Sequence, residues 1–169
     1  MKTYTQAEID ELVRCAKRIT DPPKKEMRLE RGSYRNEMKL VSIQGDLGFS
    51  VFMRVNEVFP ENFSIGLEHM PKGEPGSLSL LRCNGPHGEF LGNPPPPHPH
   101  FMYHVHRATP ETLAAGLRSE AGAEATDRYT AYLPALRHFL RFTQVTNAKE
   151  FFPSLWQMRF DFGEEDQEQ

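Results

Sequence analysis

Four of the seven histidines in this chain lie within one short segment, PPPPHPHFMYHVH (94–106). They are His98, His100, His104 and His106, and all four occupy even positions. Alternate side chains of a β-strand point to opposite faces, so an extended segment would place these imidazoles on one side. Imidazoles grouped on one face bind metal ions or transfer protons near neutral pH. The segment is the strongest indication of function in the sequence.

The spacing of these histidines fits a metal site. Histidines two residues apart on one strand face have Cα atoms about 6.5–7 Å apart, and both rings can then reach one zinc ion at about 2.0–2.1 Å. His104 and His106 have this spacing, and His87 lies at the tip of the preceding NGPH turn. Cys83 and Glu89 are close in sequence and are the candidates for a fourth ligand. The sequence therefore allows a zinc site with mixed ligands.

The same residues would also serve RNA cleavage without a metal. In that mechanism a histidine pair acts as general base and general acid, and a cation stabilises the phosphorane-like transition state. His87, His104 and His106 would be the catalytic residues. Flanking residues would bind the phosphate or assist, namely Arg82, Arg107, Arg128, Tyr103 and Tyr129.

A third interpretation assigns the histidines to the solvated face of an antiparallel sheet, where polar residues are common. We assign it to His98 and His100, because they lie in the proline-rich loop. His69 ends a strand and His138 lies on a helix, and we expect both to be surface or boundary residues.

Composition restricts the protein class. The chain has 169 residues, the size of one domain, and its net charge of −3 gives no basic field typical of nucleic-acid binding. Two cysteines make no disulfide framework. The N-terminus lacks the apolar core of a signal peptide, and no apolar run reaches the length of a membrane span. We therefore expect a cytoplasmic protein without a membrane segment.

Periodicity predicts a helix and then a sheet. Thr5 and Glu8 form a capping box, apolar residues recur at helical spacing as far as Ile19, and Asp21-Pro22-Pro23 ends the helix. Strands are predicted at 39–43, 49–55, 62–70 and 77–83, followed by the histidine strand. The first two flank a glycine turn and read as a hairpin.

The C-terminal half is predicted to be mixed. Thr109-Pro110-Glu111 has the signature of a helix start. Further predictions are a loop at 94–99, an insertion at 110–126, a strand at 127–133, a helix from Pro134, a strand or hydrophobic arm at 154–162 and an acidic disordered tail at 163–169. Together the elements predict one α+β domain over 1–162, with a mostly antiparallel sheet of five or six strands, an N-terminal helix and a C-terminal helix.

Several segments together resemble a small, uncharacterised bacterial family of single-domain proteins. They are TQAEIDELVRCAKRI, KLVSIQGDLGFSVFMRV, LLRCNGPHGEF, HVHR and DRYTAYLP. Carried over position by position, the resemblance marks Arg82, Asn84, Gly85, His87, His104 and His106. The polyproline stretch with His98 and His100, the 110–126 insertion and the tail depart from the family pattern. The turn with arginine, asparagine and histidine, followed by a histidine strand, is also similar to TumE-like toxins of toxin–antitoxin pairs.

These observations lead to a functional hypothesis and two alternatives. The hypothesis is a small cytosolic toxin or defence protein, a metal-independent endoribonuclease without a cofactor. Its substrate would be bound by Arg82, Asn84, Arg107 and Tyr103. The first alternative is a non-enzymatic phage or mobile-element protein that binds an antitoxin or a larger defence complex through 155–162. The second is a zinc-binding protein with His87, His104, His106 and Cys83 as ligands.

Overall fold

The computed structural model of the protein describes residues 3–88, 98–116 and 122–157. In chain order the elements are α1 (Gln6–Arg14), β1 (Lys17–Asp21), β2 (Arg28–Glu30), β3 (Ser33–Ser42), β4 (Gly48–Asn56), β5 (Phe63–Met70), β6 (Leu78–Asn84), a 3₁₀ turn (Pro99–Phe101), β7 (His104–Arg107), α2 (Pro110–Ala114), β8 (Ala123–Ala125), α3 (Tyr132–Phe142), α4 (Ala148–Phe151) and α5 (Pro153–Gln157). No helix in these parts of the chain combines the length and apolar composition needed to span a membrane.

One antiparallel sheet contains all eight of these strands. The order is β1-β3-β4-β5-β6-β7-β8, and β2 pairs with the other end of β3. This confirms the α+β class, the antiparallel pairing and the predicted hairpin, whose turn contains Gly45 at a φ of 81°. The predicted number of strands, five or six, was too low. The extra strands are short, with five residues in β1 and three each in β2 and β8, so they carry little periodic signal.

The two faces of the sheet differ in chemistry. On one face apolar residues of neighbouring strands lie opposite each other, as Met38, Val51, Leu67 and Leu81 do, and α1 and α3 contact this face at β5 and β6. We call it the helix face. The opposite face carries mostly charged, polar and histidine side chains and is called the polar face below. The alternation arises because successive strand residues point to opposite sides.

The N-terminal helix is shorter than predicted. Its capping box at Thr5 and Glu8 is confirmed, but the helix ends at Arg14 and Lys17–Asp21 forms β1. Apolar residues from Ile9 to Ile19 fit helical spacing by coincidence. In β1 the buried residues Lys17 and Ile19 alternate with exposed ones, because the pairing with β3 decides this segment.

The C-terminal half contains three corrections. The predicted strand at 127–133 is wrong, because α3 begins at Tyr132 and the strand of this region is β8. Pro134 is the third residue of α3, where a missing N–H costs no helical bond. Residues 154–157 belong to α5 instead of a strand, and Leu155 is buried in the core. The rest of the predicted arm and the tail lie outside the described residues.

The predicted loop and insertion are only partly described. Within 110–126 the chain forms α2 and β8, and the helix start at Thr109 is confirmed by its side-chain bond to the N–H of Thr112. Residues 117–121 of the insertion and 94–97 of the polyproline loop are not described.

Gly85 joins β6 to the turn that carries His87, and a larger residue cannot be accommodated there. A Cβ at Gly85 would meet the backbone carbonyl of Glu61 and the ring of Phe63. Backbone cannot move as a flexible side chain can, so Gly85→Ala should lower the free energy of unfolding by about 1–3 kcal/mol. Gly48→Ala is the matched control, because its Cβ would make ordinary contacts at 3.6 and 3.9 Å. Urea unfolding measures both, and equal losses would contradict the prediction.

Candidate functional site

The pairing of β6 with β7 brings the central residues of the site together. In this register Asn84 lies opposite His104 and Arg82 lies opposite His106. Residues opposite each other in an antiparallel pair share a face, so all four side chains belong to the polar face. His104 and His106 are 0% and 1% exposed. The sequence prediction that these two histidines share one strand face is confirmed.

The rest of the histidine segment is not a strand. Residues Pro99–Phe101 form a 3₁₀ turn, so the prediction of one extended face for His98 to His106 was wrong. The side chain of His98 accepts a hydrogen bond from the backbone N–H of His100 at 3.2 Å, and Pro99 has the fixed φ that favours the first position of a helix. Both features favour a turn over a strand.

This turn folds back onto the end of β6. The backbone N–H of His87 donates to the carbonyl of His100 at 2.8 Å, which brings the two imidazoles to a centroid separation of 4.9 Å. His100 also lies 5.1 Å from the ring of His104 and 5.5 Å from that of His106. The fold therefore recruits His100, which the sequence interpretation had assigned to a solvated loop.

Four imidazoles from three segments form one cluster, which we call the histidine cluster: His87, His100, His104 and His106. One ring nitrogen of each lies within 4.8 Å of all the others. The two Nε2 atoms of His87 and His104 are 3.2 Å apart. His104 and His106 are buried and the other two are half-buried.

Hydrogen bonds fix the ring of His104. Its Nδ1–H donates to the carbonyl of Met102 at 2.8 Å, which leaves the lone pair on Nε2. That atom lies 3.3 Å from Nδ2 of Asn84, whose Oδ1 accepts from Ser64 at 2.7 Å. Burial is the main cause that lowers the pKa of His104 to about 4; the bond to Met102 opposes this, and the neighbouring imidazoles add to it. His104 is therefore neutral at pH 7, with Nε2 directed into the cluster.

Three predicted site residues lie on the helix face or its edge, away from the cluster. Cys83 lies opposite Val105 on that face, and burial raises the pKa of its thiol to about 12, so it does not supply a thiolate. The guanidinium of Arg107 lies over the ring of Phe142 at 5.0 Å. Tyr103 has its ring centroid 6.2 Å from that of Phe63. Strand alternation alone separates Tyr103 and Arg107 from the even-numbered histidines, whereas the position of Cys83 depends on the register between β6 and β7.

Three other residues singled out from the sequence lie in the core or at its boundary. The hydroxyl of buried Tyr129 donates to the carbonyl of His104 at 2.7 Å, so it supports the strand from behind. His69 is 6% exposed and its Nδ1 bonds the carbonyl of Gly48, so it is a core residue and not a surface one. His138 lies between the rings of Tyr129 and Phe142 at the boundary of the core. Glu89 is outside the described residues.

A cavity of about 530 Å³ opens on the polar face beside the cluster. Arg82, the cross-strand neighbour of His106, and Ser64, the hydrogen-bond partner of Asn84, belong to its wall. The histidine cluster and the cavity are therefore adjacent parts of one surface.

Comparison with known proteins gives no relatives. No protein-family model, no curated protein and no solved structure matches the chain. The resemblance to a bacterial family and to TumE-like toxins therefore stays a prediction.

The lowered pKa of His104 predicts how stability depends on pH in chelator-treated protein. The folded state keeps His104 neutral down to about pH 4, whereas the unfolded chain takes up this proton near pH 6.5. The free energy of unfolding should therefore fall as the pH falls from about 6.5 to about 4, by at most about 3 kcal/mol. Urea unfolding across this range should show a shallower slope for His104→Asn. An unchanged slope in the variant would disprove the assignment.

Proposed function

We propose that the protein binds a divalent transition-metal ion through His87, His100, His104 and His106, with zinc as the first candidate. The observation that carries the proposal is the convergence of four imidazole nitrogens from three chain segments within 4.8 Å. Imidazole nitrogens are common ligands of zinc, copper, nickel and iron.

The distances within the cluster support this proposal. Two nitrogens bound tetrahedrally to zinc at about 2.0–2.1 Å lie about 3.3 Å apart, and the Nε2 atoms of His87 and His104 are 3.2 Å apart. Ligand pairs near the upper limit of 4.8 Å would approach slightly on binding, which small rotations of half-buried rings allow.

The surroundings of His104 also support it. Histidines that bind metals usually donate their second ring N–H to a carbonyl or carboxylate, which fixes the tautomer. His104 makes this bond to Met102. A buried neutral imidazole also needs no deprotonation before it binds the ion.

Metal binding fits the cluster better than proton transfer between histidines. A metal-free mechanism needs one protonated and one neutral histidine at working pH. The pKa of His104 is lowered to about 4, mainly by burial and also by the neighbouring imidazoles, so a proton on this ring is unfavourable. A divalent ion can instead bind several neutral imidazoles at once, because one ring nitrogen of each lies within 4.8 Å of the others.

The test is metal analysis of the untagged protein. Purified protein should contain one metal ion per chain. After a chelator has removed this ion, added zinc should restore a content of one ion per chain. Each of the single variants His87→Ala, His100→Ala, His104→Ala and His106→Ala should lower zinc affinity by at least about 100-fold, since even the loss of an outer hydrogen bond costs about 10–100-fold. Competition with a chromophoric chelator measures the affinity.

His98→Asn is the matched control for these variants. His98 is exposed and lies next to the cluster in sequence, and asparagine keeps a side-chain acceptor for the 3₁₀ turn. It should bind zinc as the wild type does. Wild-type protein that takes up no metal, or equal losses in His98→Asn and His100→Ala, would remove the proposal.

A metal-independent ribonuclease is the second candidate, favoured by the contact between His87 and His104 and by Arg82 on the same face. Under this proposal chelator-treated protein cleaves single-stranded RNA, and the double variant His87→Ala/His104→Ala does not. His98→Asn again serves as the control. Chelator-treated wild-type protein that leaves the RNA intact would eliminate this candidate.

A further inference from the structure

The polar face carries a row of arginines outside the histidine cluster. Arg28 on β2 lies opposite Arg35 on β3, and Arg35 lies opposite Arg54 on β4. Like charges directly opposite each other destabilise a sheet. Three guanidinium groups on three neighbouring strands therefore need negative charge nearby.

Among the described residues, only one arginine of the row forms an ion pair with a carboxylate. Arg28 forms an ion pair with Glu30 at 2.7 Å. Arg54 donates from Nε to the hydroxyl of Ser33 at 3.1 Å, which is a neutral partner. The Nε of Arg35 is buried and has no hydrogen-bond partner among the described residues. Arg35 and Arg54 are thus the positions at which an external anion would be held.

Both arginines line the cavity beside the histidine cluster. The ring of Phe52 lies over Gly66, where a Cβ would overlap it, so an apolar surface covers the centre of the sheet. The volume of about 530 Å³ falls in the range of about 300–1,000 Å³ found for small-molecule sites.

The row continues from the arginines to the histidine cluster. Arg54 lies opposite Ser64, Ser64 opposite Asn84 and Asn84 opposite His104, in successive strands. Strands are spaced about 4.8 Å apart, so the backbones of β4 and β7 are about 14 Å apart at this level. Arginine side chains span part of this distance, which leaves room for a molecule of a few bonds.

We infer that this cavity binds a small molecule with a carboxylate or phosphate group, which Arg35 and Arg54 hold while the rest of the molecule extends toward the histidine cluster. The anion site depends on the arginine row alone. Only the orientation of the bound molecule toward a metal rests on the proposed function. Guanidinium groups bind both oxyanions through paired hydrogen bonds.

A small molecule fits this site better than a polyanion such as RNA. Glu37 and Glu68 also line the cavity and would repel a chain of phosphates, but they can accept hydrogen bonds from hydroxyl or amino groups of a ligand. The net charge of the chain is −3, which provides no general attraction for nucleic acid.

The experiment titrates inorganic phosphate, succinate and a short single-stranded RNA into chelator-treated and zinc-loaded protein, followed by calorimetry and thermal unfolding. Phosphate or succinate should bind both forms of the wild type. Arg35→Gln and Arg54→Gln should each weaken binding by about 10-fold or more, because each removes charge-assisted hydrogen bonds. Arg18→Gln is the matched control, since Arg18 is an exposed strand arginine outside the cavity wall.

The outcomes separate the two proposals. Anion binding that is lost in both cavity variants but kept in Arg18→Gln supports the inference, even if no metal binds. If anion binding requires zinc and is unchanged in Arg35→Gln and Arg54→Gln, the anion binds to the metal. This result would overturn the arginine site but not the metal site. Binding of RNA without either small anion, or no binding of any probe at millimolar concentration, would also overturn it. Circular dichroism of each variant excludes loss of folding as the cause.

Discussion

The register between β6 and β7 is the constraint on which the site depends. It places Asn84 and Arg82 opposite His104 and His106 on the polar face, with Cys83 and Val105 opposite each other on the helix face. A slip of one residue would exchange the two sets, because the side-chain period of a strand is two residues. The apolar pair in the core and the hydroxyl of Tyr129 on the carbonyl of His104 hold this register. The same ladder thus determines both the core and the site.

The polar face contains buried groups because the chain covers part of it. The turn at His87 and the 3₁₀ turn at His100 are joined by a backbone hydrogen bond, and together they close over the two strand histidines. Removal from water is unfavourable for an imidazole unless hydrogen bonds compensate for it, and His104 makes such contacts with Met102 and His87. Under the proposed function the four imidazoles would bind a metal ion, and because they are neutral ligands the positive charge of that ion would not be compensated. The arginine row beside the cluster carries positive charge whether or not an ion binds, and the proposed anion would be held there.

Strong alternation made most of the sheet predictable. The hairpin of β3 and β4, and strands β5 and β6, were found from sequence because their apolar residues repeat every second position. The helix that was extended to Asp21 shows the limit of this method, since Ile19 satisfies the period of a helix and of a strand. Pairing with β3 decided between them. Tyr132 to Leu133 was similarly ambiguous, and packing of Leu136 and Phe139 on the core favoured the helix.

For the site, the sequence alone determined that His104 and His106 share a strand face, because alternation is a local property of the backbone. It also identified His87 and Arg82 as neighbours to consider. Alternation alone already places Tyr103 and Arg107 on the opposite face. Only the tertiary structure decided that His100 joins His104 and His106 and that Cys83 does not. The same holds for the arginine row, whose members come from three strands with no common motif. Convergence of this kind depends on strand register and on a loop that folds back, and both are set by contacts between residues far apart in the chain.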